Sequence, residues 1–120
     1  MLREWSAPGW PDAPAAARYR AAMQVENTAY CAMEYYRWAV RSLVRPDGMR
    51  FARRMRTPIA CPVLQLHGAK DPAILPRTAA GSGRYVAGPY TWALLARVGH
   101  FPHEEAPTAF DAALLPWLAG

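Results

Sequence analysis

Two short stretches carry residues of the types and spacing that acid–base chemistry needs. Asp71 follows the glycine of HGAKDP, and His100 follows the glycine of GHFPHEEAP about thirty residues later. A carboxylate that accepts a hydrogen bond from one imidazole nitrogen fixes the tautomer of the ring and stabilises its protonated form, leaving the other nitrogen to exchange a proton with substrate. That is two thirds of a nucleophile, histidine and acid triad. An aspartate and a histidine after a glycine are also ordinary loop residues, so the pair has this chemistry only where the fold brings both to one place.

The surrounding elements would do so. Val63 to His67 form a short apolar run between Pro62 and Gly68, and Tyr90 to Leu95 form a second that leads into a loop at Gly99; both read as buried strands. Asp71 and His100 then follow the carboxyl ends of neighbouring strands, where open α/β sheets carry their polar site residues. Between them, 71–88 is broken by Pro72, Pro76, Gly81, Gly83 and Gly88, with a short helix expected at 76–80. Thr108 is the expected cap of a closing helix, 109–118, with Phe110, Ala113, Leu114 and Trp117 on one face.

The first half is predicted helical. Asp12 suits an N-cap for a helix to Gln24, a second runs from Asn27 or Thr28 to about Arg45 before Pro46, and a short third follows Asp47 to Arg56. The expected class is α/β: a helical segment, then two parallel strands with flanking helices. Sheets usually hold about 4 to 6 strands, so two strands look like part of a larger sheet, and their exposed edges favour self-association.

The chain has 120 residues, 52% of them apolar and 19% charged. This bounds it to one domain and supplies a core. No run approaches the ~20 apolar residues of a membrane span, and MLREWSAPGWPDAP lacks the apolar stretch of a secretory signal; no membrane association and a cytoplasmic location are expected. Net charge is +5, and seven arginines (Arg37, Arg41, Arg45, Arg50, Arg53, Arg54 and Arg56) share 37–56 with one acid, Asp47. A solvated helix face is the commoner cause of such a run. Without zinc-finger spacing or a glycine–aromatic RNA-binding pattern, nucleic acid is not an expected partner. Cys31 and Cys61 have no metal-ligand or disulfide pattern and are expected as small buried thiols.

The two site stretches, PVLQLHGAKDP and VGHFPHEEAP, with their order and the closing ALLPWL helix, resemble the C-terminal part of the α/β hydrolase superfamily over 58–120. The resemblance implies a partial α/β-hydrolase fold, Asp71 as triad acid, His100 as general base, and Glu104 or Glu105 as a supporting residue of the turn; His103 falls at a variable position and is expected to be structural. Residues 1–57 resemble the helical lid, including the opening segment. Within them AMEYYRW is similar to the tyrosine–arginine segment of epoxide hydrolase lids, which implies that Tyr36 donates a proton or hydrogen bond to an epoxide oxygen, with Tyr35 as the alternative register. The competing reading is that these aromatics pack the lid on the sheet.

The nucleophile elbow, GxSxG or its aspartate form, is nowhere in the 120 residues, and GSG at 81–83 has Ala80 where the motif needs glycine. The early HGxP-type turn of the oxyanion hole is missing too. The resemblance therefore implies a C-terminal fragment: a truncated gene product, a miscalled start or half of a split enzyme. The expected reaction of the intact relative is hydrolysis of a small epoxide or ester through a covalent ester, with no metal or organic cofactor. The alternatives are a serine esterase, a haloalkane dehalogenase, or a non-catalytic interaction module with an arginine-rich face.

Overall fold

The computed structural model describes residues 2–120. They form a small α/β fold with alternating helices and a two-stranded parallel sheet, divided into two compact units: 2–11 with Ile59–Gly120, and Asp12–Pro58.

In the first unit, β1 (Val63–Gly68) and β2 (Tyr90–Leu95) pair in parallel, from Val63 opposite Tyr90 to Gly68 opposite Leu95. Parallel strands need a long crossover, supplied here by α5 (Pro76–Ala80) and a 3-10 turn at Gly81–Tyr85. Gln65 is the polar residue of an apolar run, and both ends of its amide are used. Its nitrogen donates to the Ala79 carbonyl at 3.0 Å and its oxygen accepts from the Tyr90 hydroxyl at 2.7 Å, tying β1 to the crossover and to β2.

The pairing continues beyond the strands on the site side. The Ala69 N–H donates to the Leu95 carbonyl at 2.9 Å and the Lys70 N–H to the Val98 carbonyl at 2.8 Å, so backbone joins the acid turn to the histidine turn. Gly68 permits this approach: a Cβ there would overlap the backbone carbonyls of Val98 and Gly99. Gly68→Ala is expected to destabilise the unit by more than about 2 kcal/mol, because backbone on both sides would have to shift. Gly81→Ala is the control. Gly81 has a helical φ of −62° and its Cβ would meet only the Arg84 guanidinium at 3.4 Å, so a change within about 0.5 kcal/mol is expected. Urea unfolding midpoints measure both.

The helix after the histidine turn begins earlier than predicted. Pro102–Glu105 form α6, and α7 spans Pro107–Ala119, with Ala106 rather than Thr108 at its cap and no side-chain capping bond. Proline needs no partner for an N–H in the first turn and displaces the threonine from the cap. Phe110, Ala113, Leu114 and Trp117 are half-buried, while Leu115 and Leu118 are exposed. The opening segment, with α1 (Leu2–Trp5), belongs to this unit and lies on the histidine turn.

The second unit holds α2 (Ala13–Gln24), α3 (Thr28–Ser42) and α4 (Pro46–Arg54). Asp12 caps α2 by accepting from the Ala15 N–H at 2.7 Å, an interaction that typically stabilises by about 1 kcal/mol. α3 follows Asn27, which takes a left-handed φ of 63°, and stops three residues before the expected Arg45. Gly48 lets α4 come onto Ser42, whose backbone a Cβ would strike, and Trp38 meets Phe51 edge to face with centroids 5.5 Å apart.

Cys31 and Cys61 are both exposed, contrary to the buried thiols expected. The buried residues of α2, α3 and α4 are Ala15, Ser42 and Gly48, too small a set to cover a helix that is apolar on several sides. Tyr30, Met33, Val40 and Leu43 on or beside α3 are exposed with Cys31. Cys61 lies in the irregular stretch ahead of β1. The arginine run is partly neutralised from just outside its bounds. Glu34 pairs with Arg37 at 3.0 Å and Arg41 at 2.6 Å, and Arg45 pairs with Asp47 at 3.0 Å. The hydrogen bonds from Arg37 and then Arg41 hold the Glu34 carboxyl below the usual range, although exposed pairs add little stability. Among the described residues no helix is long and apolar enough to cross a membrane.

Candidate acid and histidine site

Asp71 lies three residues beyond β1 and is 4% exposed, an unusual degree of burial for a carboxylate where the buried hydrophobic residues, among those described, are alanines and one valine. Three hydrogen bonds to its oxygens define one arrangement. Oδ1 accepts from the N–H groups of Ala73 at 2.8 Å and Ile74 at 3.0 Å, which closes the loop after β1 on its own side chain. Oδ2 faces His100, whose Nδ1 is 2.9 Å away. Since a carboxylate accepts, Nδ1 carries the proton, and Nε2 is the nitrogen left for proton transfer.

His100 is held through backbone on both sides. Its own N–H donates to the Trp5 carbonyl at 2.8 Å, and the Trp5 ring meets the imidazole edge to face with centroids 5.0 Å apart. Glu105 holds the neighbours: Oε2 accepts from the Gly99 N–H at 2.7 Å and the Ala7 N–H at 2.9 Å, and Oε1 from the Phe101 N–H at 2.9 Å. Of the two glutamates the sequence left open, Glu105 therefore supports the turn. Gly99 is required here, because a Cβ would press within 2.7 Å of Trp5 and Ser6 backbone. Trp10 packs on Phe101 with centroids 5.2 Å apart.

Burial is the largest single influence on the Asp71 carboxyl and acts upward. It is outweighed by the Ile74 N–H, the His100 hydrogen bond, the Ala73 N–H and the His100 charge, which together bring the carboxyl below the ordinary aspartate value. With a lowered folded value, the unfolded chain binds the proton first as pH falls, so the stabilisation is present above the ordinary value and is lost on descent through the folded one. Resistance to denaturant is expected to fall below about pH 4. In Asp71→Asn that acid-side slope is expected to flatten, and an unchanged slope would assign the acid sensitivity to other carboxyls.

The structure brings Asp71 and His100 together; Tyr36 belongs to the other unit. There it lies on α3, 60% exposed, with its ring edge to face with Tyr35 at 5.6 Å. His103 is exposed and meets Phe110 edge to face. Three partners were missed by sequence reasoning. Trp5 and Ala7 gave no local sign of contact with residues more than ninety positions away, and His67 read as one more residue of an apolar strand. Its ring stacks on Trp92 with centroids 5.6 Å apart, and its Nε2 lies 2.9 Å from the Ile74 carbonyl and 3.6 Å from Asp71 Oδ2. Among the described residues, no group of three or more histidine, cysteine, aspartate or glutamate side chains is placed to hold a metal ion. No family model matches the chain, and neither a curated protein nor a solved structure does.

Proposed function

We propose that Asp71 and His100 are the acid and base of an α/β-hydrolase-type triad, and that the chain supplies this half of the site for hydrolysis of a small epoxide or ester. The observation that carries the reading is the 2.9 Å approach of His100 Nδ1 to a buried carboxylate, with the two residues set on turns that follow the same ends of paired parallel strands. An Asp or Ser outside these 120 residues attacks the substrate. His100 Nε2 then takes a proton from water as the water attacks the covalent ester, and Asp71 stabilises the imidazolium that results. The resemblance of AMEYYRW to epoxide hydrolase lids assigns Tyr36 as the donor to an epoxide oxygen, which favours an aspartate nucleophile. A serine esterase and a haloalkane dehalogenase are the alternatives: they share the acid and histidine but not necessarily the lid tyrosine.

The test is the protein extended by the in-frame sequence preceding the Met1 codon, assayed on an aryl epoxide and an aryl ester. A GxDxG elbow in the extension is expected, with epoxide turnover that falls about a hundred- to ten-thousandfold in His100→Ala. An extension without an elbow, or turnover indifferent to His100→Ala, overturns the proposal. The 120-residue chain alone is expected to turn over neither substrate.

A second reading rests on Arg50, Arg53, Arg54 and Arg56, which are exposed and outside the ion pairs of the arginine run. An interaction module of this kind would bind an anionic partner with a strong salt dependence. A titration with a polyanion that shows no salt-sensitive binding removes it.

A further inference from the structure

We propose that His67 is a positioning residue for the acid, acting through the loop that carries Asp71; the inference rests on the acid and base roles given above to Asp71 and His100. Three bonds make the case. His67 Nε2 is 2.9 Å from the Ile74 carbonyl oxygen, the Ile74 N–H donates to Asp71 Oδ1 at 3.0 Å, and Asp71 Oδ2 faces His100 Nδ1 at 2.9 Å. A carbonyl oxygen only accepts, so His67 carries its proton on Nε2. Ile74 is consequently held at both of its backbone groups, by Asp71 on one side and by His67 on the other. The loop cannot swing its N–H groups away from Oδ1 without breaking the His67 bond.

The ring is itself fixed. It is the penultimate residue of β1, its side chain is 11% exposed, and it stacks on Trp92 with an interplanar angle of 25°. Its Nε2 also lies 3.6 Å from Asp71 Oδ2, beyond a hydrogen bond, so the ring acts on the acid through Ile74. Asp71 thus stands between two imidazoles with distinct duties: His100 takes the bond that matters for proton transfer, and His67 holds the loop that aims it.

A purely packing role for His67 predicts that an aromatic ring of similar shape suffices, whereas a positioning role requires the donor. His67→Phe keeps the stack on Trp92 and removes the Nε2 proton, and His67→Gln keeps an N–H donor and removes the ring. The readout is the His100 Nδ1 proton in 15N-labelled chain, a downfield resonance protected from solvent by its bond to Asp71 and observable without any turnover. In His67→Phe, its exchange with water is expected to accelerate at least tenfold or the resonance to disappear, and in His67→Gln it is expected to persist. Retention in His67→Phe, or loss in both variants with wild-type amide spectra elsewhere, overturns the proposal. A second measurement does not depend on either variant folding. Nitrogen shifts of wild-type His67 are expected to report the Nε2–H tautomer, and an Nδ1–H tautomer overturns the proposal even where the Asp71–His100 pair is intact. Loss of that pair in the wild-type chain would instead overturn the triad reading.

Discussion

Asp71→Asn is expected to leave the strand unit folded and to reverse the tautomer of His100, which removes the base the proposed triad needs. An asparagine can put its single oxygen at only one of the two positions the carboxylate serves. With the oxygen at the Oδ1 position, the Ala73 and Ile74 N–H groups keep their acceptor, and the amide NH2 faces His100 Nδ1. The imidazole must then accept at Nδ1 and carry its proton on Nε2, the nitrogen that has to be free to take one. With the amide reversed, Nδ1–H keeps an acceptor but two N–H groups meet an NH2, each at a cost of about 1 to 3 kcal/mol. The first arrangement wins because a change of tautomer at His100 keeps all three contacts bonded, whereas the second leaves two N–H groups without an acceptor. If the extended protein hydrolyses its substrate as proposed, the wrong tautomer is expected to lower kcat about 10⁴-fold, as the equivalent substitution does in a serine protease triad. In the chain itself, nitrogen shifts should move His100 from the Nδ1–H to the Nε2–H tautomer. An unchanged tautomer would detach Asp71 from control of the base. Asp71→Ala differs in kind: it strands three donors and should cost about 2 to 4 kcal/mol of stability.

The strands and the Asp71–His100 juxtaposition were legible because their signals are local. Val63 to His67 and Tyr90 to Leu95 are short apolar runs bounded by proline and glycine, and the parallel order of two such runs puts the following turns at the same end. Asp12 announced α2 in the same way. What escaped was either too short or too distant. α1 and α6 span four residues each, barely more than one helical turn, and cannot display a periodicity. Glu104 and Glu105 are equivalent in sequence, and only the path of α6 turns the second toward the Gly99 and Phe101 amides. The placement of 2–11 depends on the Ala7–Glu105 and Trp5–His100 bonds, which no local pattern encodes. Cys31 misled because apolar neighbours on a helix imply burial only where another element covers that face. The role of Tyr36 came from resemblance alone, and its test lies in turnover.

The short reach of those local signals makes Glu105 the more informative second substitution. Three consecutive amides hold the histidine turn: Gly99 and Phe101 donate to Glu105, and His100 between them donates to Trp5, whose segment Glu105 also holds through Ala7. Removing the carboxylate in Glu105→Ala strips the acceptor from three part-buried N–H groups at once. A loss of about 2 to 4 kcal/mol is expected, less than three separate penalties because the freed segment can rehydrate its own amides. Glu105→Gln retains one oxygen. Placed at Oε2 it keeps Gly99 and Ala7 and abandons Phe101, so a loss of about 1 to 2 kcal/mol is expected. Hydrogen exchange separates this from general weakening: the amides of Ala7, Gly99, His100 and Phe101 should lose protection together in Glu105→Ala, while those of Val63 and Gln65, which face β2 from β1, lose only what the global change dictates. If Glu105→Ala shifts the unfolding midpoint by no more than about 0.5 kcal/mol and the four amides stay protected, the turn that presents His100 is rigid for reasons of packing, and Trp5 and Trp10 on either side of it become the residues to test.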